Sequence, residues 1–111
     1  MKNISLKDAQ KIVKDWTAKY GFKWSTYAAY CHLVEEIGEI GEAITVGQGE
    51  RKAGFGEEGF ADHSDMLEEI GDVLFCTIDM ANRFGVDIEK CFSETIKRYN
   101  EKTKKRLMKK Q

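Results

Sequence analysis

The sequence predicts an all-α protein, an antiparallel bundle of about four helices whose core is completed by self-association. Three observations carry this. The 111 residues contain no proline. Four segments repeat their apolar residues with the helical period, and no stretch shows the alternation of a strand. Each helical segment is also bounded by a capping residue or a glycine. At this length a single domain spanning residues 1–111 is expected, because two independent cores would each be too small.

The first helix is predicted from about Ser5 to Lys19. Ser5 and Asp8 stand at capping-box spacing, Ala9, Ile12, Val13 and Trp16 share a face, and Gly21 follows the end. The second runs from Ser25 or Thr26 to about Val46, with an apolar stripe of Tyr30, Leu33, Val34, Ile37, Ile40 and Ile44 and a stop at Gly47. The third is predicted from about Ser64 to Phe84, ended by Gly85. Asp87 then caps a fourth helix, whose stripe is Ile88, Cys91, Phe92, Thr95, Ile96 and Tyr99. Residues 48–63, rich in glycine and charge, form a long connection. The third helix is apolar around most of its circumference except for a strip of Asp65, Glu69, Asp72, Cys76 and Asp79. A surface of that kind is buried on several sides, so a homodimer or homotetramer is expected.

Charge is strongly segregated along the chain. Residues 1–24 carry a net +4, residues 35–72 a net −10, and residues 97–111 a net +7, although the whole chain is only −1. An acidic block this dense is self-repelling unless the basic ends cover it or it holds cations. No apolar run reaches membrane-spanning length and the N-terminus has no apolar signal core, so a cytoplasmic protein without a membrane partner is expected. Three widely spaced cysteines outside any CxxC pair argue against a zinc site or disulfide framework and read as reduced core residues.

The acidic block contains a repeated pattern. Glu36 and Glu39 lie three apart on the second helix, and Glu69 and Asp72 lie three apart on the third. That spacing places each pair on one helical face, so two adjacent antiparallel helices can present four carboxylates to one point. Hard oxygen donors in this number suit Mg²⁺, with Mn²⁺ as the alternative. A bundle di-iron site would require Glu-x-x-His, and neither His32 nor His63 has a Glu three residues before it.

Trp24, the run HLVEEIGEIGEAI (residues 32–44), the run EEIGDVLF (residues 68–75) and the closing segment from Asn100 to Arg106 resemble the MazG-type nucleoside triphosphate pyrophosphohydrolases, whose signature is EExxE, a spacer, ExxD and a basic closing motif. The resemblance covers residues 24–107. It implies Mg²⁺-dependent cleavage between the α- and β-phosphates of (d)NTPs, giving a nucleoside monophosphate and pyrophosphate, in nucleotide-pool house-cleaning. It also implies that Glu36, Glu39, Glu69 and Asp72 are metal ligands and that Glu35 is the general base. Asn100, Lys102 and Arg106 would bind the phosphates. Asp79 departs from the resemblance, because relatives often carry Asn there, and the Gly-rich spacer from residue 47 to 64 is long enough to act as a lid. The alternatives are a phosphoribosyl-ATP pyrophosphohydrolase of the same superfamily and a non-enzymatic helical module that binds nucleic acid through its basic tail; the carboxylate pattern disfavours the latter.

Four signals carry less weight. Gly54, Gly56 and Gly59 match GxGxxG without a preceding strand, and residues 62–65 lack the remainder of a calcium loop. His32 is expected to be a core histidine, with orientation of Glu36 as its other reading. The aromatics Trp16, Trp24, Tyr27 and Tyr30 are expected in the core, with base stacking as their other reading.

Overall fold

The structure, a computed structural model, describes residues 3–21, 23–49 and 65–110. It contains four helices, α1 (Leu6–Tyr20), α2 (Thr26–Gly47), α3 (Met66–Arg83) and α4 (Ile88–Lys109), and no strand among the described residues. Residues 50–63 of the long connection, with its GxGxxG match, the 62–64 part of the calcium-like segment and the predicted α3 start at Ser64 lie outside the described residues.

The helix ends follow from local chemistry. At α1 the Asp8 N–H donates to Ser5 Oγ at 3.1 Å and the Ser5 N–H donates to Asp8 Oδ2 at 3.4 Å, the reciprocal capping box. Gly21 ends α1 in the left-handed region at φ 70°. Ser25 Oγ accepts from the Ala28 N–H and starts α2. The predicted stop at Gly47 falls two residues early: Gly47 is still helical, Gln48 caps the helix, and Gly49 takes the positive φ of 74°. Asp65 is a cap rather than a member of the α3 polar strip, since its carboxylate accepts from the Leu67 and Glu68 N–H groups. Gly85, at φ 64°, and Asp87, accepting from Glu89 and Lys90, make the turn into α4 as the sequence predicts.

The most extensive helix contact is between α2 and α3, followed by α1 on α3, while α4 rests mainly on α1. Glu36 and Glu39 meet Glu69 and Asp72, while Trp24, ahead of α2, receives a hydrogen bond from Arg83 at the far end of α3. Positions early in one helix therefore face positions late in the other, and the pair is antiparallel. Gln10 fixes α1 to the α3–α4 turn. Its Nε2 donates to the Val86 carbonyl at 2.7 Å and to Asn82 Oδ1 at 3.1 Å, and its Oε1 accepts from the Ile88 N–H at 2.9 Å. The Asn82 Nδ2 returns a bond to the Gln10 carbonyl at 3.0 Å. One amide thus satisfies a donor that the α4 N-terminus would otherwise leave orphaned.

The core of the single chain is thin. Its fully buried apolar residues among those described are Val13, Ala29, Ala43 and Ile78. Of the α2 stripe predicted for the core, Tyr30, Val34, Ile37 and Ile44 are exposed, and α2 instead turns Ala29, Glu42 and Ala43 inward. On α3, Leu67, Ile70 and Leu74 are exposed. The radius of gyration is 17.8 Å, against about 13 Å for a compact domain of this length. The inward face of α2 is thus partly acidic, and much of its apolar face is left uncovered by the rest of the chain.

Candidate functional site

The α2–α3 contact gathers Glu36, Glu39, Glu69 and Asp72. One ligand atom from each lies within 4.8 Å of the others. Glu69 is only 2 % exposed, and Glu36 Oε2 is buried without a hydrogen-bond partner among the described residues. A buried carboxylate oxygen lacking a donor is costly unless a cation satisfies it. The donor set is all carboxylate oxygen, which fits a hard divalent cation such as Mg²⁺ or Mn²⁺.

His32 is not a core residue. It is half-buried, with Nε2 3.3 Å from Glu36 Oε1 and Nδ1 3.7 Å from Glu35 Oε2. Its i, i+4 relation to Glu36 was the sequence signal for this contact. Glu35 points outward, 73 % exposed, and stands at the rim beside His32 rather than among the four converging carboxylates. Asn100, Lys102 and Arg106 are exposed on α4, and their side chains make no hydrogen bond or ion pair among the described residues. Because α4 packs mainly on α1, the chain does not lay its basic end over the acidic centre.

Beside the carboxylates lies a cavity of about 310 Å³, small for a ligand pocket and largely apolar. Trp16 and Phe75 meet edge to face in its lining, with centroids 5.4 Å apart, and Trp24 and His32 do the same at 4.8 Å. The two tryptophans, 39 % and 43 % exposed, line this cavity rather than a closed core, and Tyr27 and Tyr30 are more exposed still. Cys91 is likewise exposed, contrary to its reading as a core residue. Cys76 lies between the cavity and the acidic centre. Burial, and then the charges of Glu36, Asp79, Asp72 and Glu39, push its thiol up to about 11. In the cavity lining Asp79 and Arg83 form an i, i+4 pair, with Arg83 Nε donating to Asp79 Oδ2 at 2.9 Å and Nη1 to the Trp24 carbonyl at 2.8 Å. The spacing of this pair was visible in the sequence; its place in a cavity was not.

Fold and site together define an all-α protein with a carboxylate centre next to an aromatic-lined cavity. Residues 25–107 match the MazG nucleotide pyrophosphohydrolase domain. The chain is 28 % identical to the uncharacterized Bacillus subtilis protein YpjD, over all of this chain and 97 % of the relative. It is 30 % identical to the uncharacterized YvdC of the same organism, over 94 % of this chain and 97 % of that one. Among solved structures, the candidate pyrophosphatase YPJD from Bacillus subtilis superposes with a TM-score of 0.72 at 27 % identity, covering 90 % of this chain and 97 % of that chain. A Bacillus-conserved MazG protein described as a nucleotide pyrophosphohydrolase superposes with a TM-score of 0.65 at 29 % identity, covering 89 % and 93 %. The chain belongs to the MazG family and is a nucleotide pyrophosphohydrolase, a hydrolase of phosphoric anhydrides.

Proposed function

We propose that this enzyme uses Mg²⁺ to cleave (d)NTPs between the α- and β-phosphates, releasing a nucleoside monophosphate and pyrophosphate, and that it serves in clearing the nucleotide pool. The observation that carries this reading is the convergence of Glu36, Glu39, Glu69 and Asp72, with a Glu36 oxygen lacking a hydrogen-bond partner among the described residues, beside an aromatic cavity of about 310 Å³. These four residues would hold the cation, with Mn²⁺ as a substitute. Bound there, it would neutralise phosphate charge and acidify a water for in-line attack.

The remaining roles fall to the chain's own side chains. Glu35 is the general base, taking the proton of the attacking water at the rim, with His32 standing between it and Glu36. The aromatic cavity takes the base and sets the position of the α-phosphate. Asn100, Lys102 and Arg106 grip phosphate oxygens once α4, or the α4 of another copy, is brought to the centre. A second copy is part of this reading. It would cover the stripe of Tyr30, Val34 and Ile37 on α2 and that of Leu67, Ile70 and Leu74 on α3, all exposed in the single chain. Gly38 and Gly41 leave open space on α2 where a neighbouring helix could approach.

The test is a panel of NTPs and dNTPs with Mg²⁺ or with chelator, scored separately for pyrophosphate and orthophosphate. Mg²⁺-dependent pyrophosphate release is expected. Orthophosphate as the first product, or turnover unaffected by chelation, refutes the reading.

A further inference from the structure

The cavity beside the carboxylate centre has aromatic walls, and Asp79 and Arg83 are the charged residues in its lining. The Asp79–Arg83 pair is held in place: Arg83 commits Nε to Asp79 and Nη1 to the Trp24 carbonyl, so two of its donor groups are already used within the chain. Asp79 Oδ2 accepts one of these bonds, and Asp79 Oδ1 accepts none from a described residue. Both side chains are about one-fifth exposed. A carboxylate with one uncommitted oxygen is thus held in the lining of a cavity with aromatic walls. Asp79 Oδ1 can accept from an N–H donor of a ligand, whereas a carbonyl set against it would oppose acceptor to acceptor.

We propose that Asp79, positioned by Arg83, is the specificity residue of this enzyme and selects nucleotides whose base presents an exocyclic amino group over isosteric bases with a carbonyl in that place. This rests on the pyrophosphohydrolase reading of the adjoining site. Asp79 neither moves a proton nor binds metal in this role. It accepts a hydrogen bond from the base amino group, and Arg83 keeps the carboxylate from rotating away. Two observations point the same way: His32 lines the cavity and also contacts Glu36, so a base in the cavity lies next to the reacting centre. The Trp16–Phe75 and Trp24–His32 contacts give the cavity walls of fixed orientation.

The experiment compares kcat/KM for two amino/carbonyl pairs, dCTP with dUTP and dATP with dITP, in wild type, Asp79→Asn and Arg83→Lys. Wild type is expected to favour the amino member of at least one pair by roughly ten- to a hundredfold, the scale on which a site rejects a mispaired polar group. In Asp79→Asn the amide can turn either its oxygen or its NH₂ to the base, so the preference should fall to about threefold or less, chiefly through KM. Arg83→Lys, which lacks the fixed fork, should lose part of it. Wild-type ratios near one in both pairs overturn the proposal, as does an unchanged ratio in Asp79→Asn. If the Asp79→Asn chain does not fold, the wild-type ratios and Arg83→Lys decide. If none of the four nucleotides is hydrolysed, the proposed turnover of these dNTPs fails. Calorimetric binding of dCTP against dUTP to wild type then still judges Asp79, and equal affinities overturn its role.

Discussion

Neutralising one carboxylate of the acidic centre should make the metal-free protein more stable while destroying its response to Mg²⁺. Asp72→Asn is the cleanest such change, because it is isosteric and the Asp72 side chain forms no hydrogen bond among the described residues that the substitution would break. At the 4.8 Å limit of the cluster, two unit charges repel by about 0.9 kcal/mol at the dielectric of water. Asp72 faces three such partners, so its neutralisation relieves about 2.6 kcal/mol before screening. Salt at ordinary ionic strength reduces that to roughly 1–2 kcal/mol, which for a domain of this size raises Tm by about 4–8 °C per kcal/mol. Thermal unfolding of wild type and Asp72→Asn, with chelator and with millimolar Mg²⁺, reads the effect directly. The variant should melt higher in chelator, gain little from Mg²⁺, and release no pyrophosphate. Wild type should gain from Mg²⁺ by mass action. A variant that melts lower in chelator, or gains as much from Mg²⁺ as wild type, would refute the reasoning, since the four groups would then not share a charge-repelled cation site.

Lys102→Ala should lower kcat/KM by roughly ten- to 150-fold if it makes a charge-assisted bond to phosphate, whereas Lys109→Ala should change little; equal small effects would remove Lys102 from the site. Light scattering should give at least twice the 12.7 kDa chain mass, and Ile37→Glu or Leu74→Glu should shift it toward the monomer, while a wild-type monomer would refute self-association. The Cys76 thiol, raised from 9.0 to about 11 by burial and nearby carboxylates, should alkylate more slowly than the exposed Cys91 at pH 9 in chelator. An acid whose folded pKa lies above its unfolded value binds more protons when folded, so its contribution is present below pH 9 and is lost as pH rises toward 11. Cys76→Ser should therefore flatten the alkaline decline in stability over that interval, and an identical decline would contradict the assignment.

The parts of this molecule legible in its sequence are those written in local spacing. Ser5 with Asp8, Asp87, Gly21 and Gly85 act over three or four residues, and a helix end responds to them wherever the helix goes. The i, i+3 carboxylate pairs are legible for the same reason, and the structure brings Glu36, Glu39, Glu69 and Asp72 together. Which side of α2 faces inward is not a local property. Tyr30, Val34 and Ile37 form the strongest apolar stripe, yet α3 packs on the side bearing Ala29 and Ala43, where small residues permit close approach and the carboxylates meet. An apolar stripe states that something covers it without stating what. The Gln10 bonds to Asn82, Val86 and Ile88 span more than seventy residues of sequence, and no periodicity announces them. Asp79 with Arg83 is intermediate: the i, i+4 spacing is readable, but the tryptophans around the pair come from outside α3.

The Gln10 network also fixes where α4 starts. A helix of 22 residues is about 33 Å long, and this one is pinned near its first residue by a single side-chain amide while none of its own side chains is fully buried. Mechanically it is a boom held at its root by that amide and resting on α1. A tilt of roughly 10° at the Ile88 end sweeps the far end through about 6 Å over that length, while the α2–α3 contact that gathers the carboxylates need not change at all. Lys102 and Arg106 ride on the outer half of the boom. The position of the basic end therefore depends on the α4 root at Gln10 as well as on α1, so a change of one amide far from the acidic centre can alter where those charges lie.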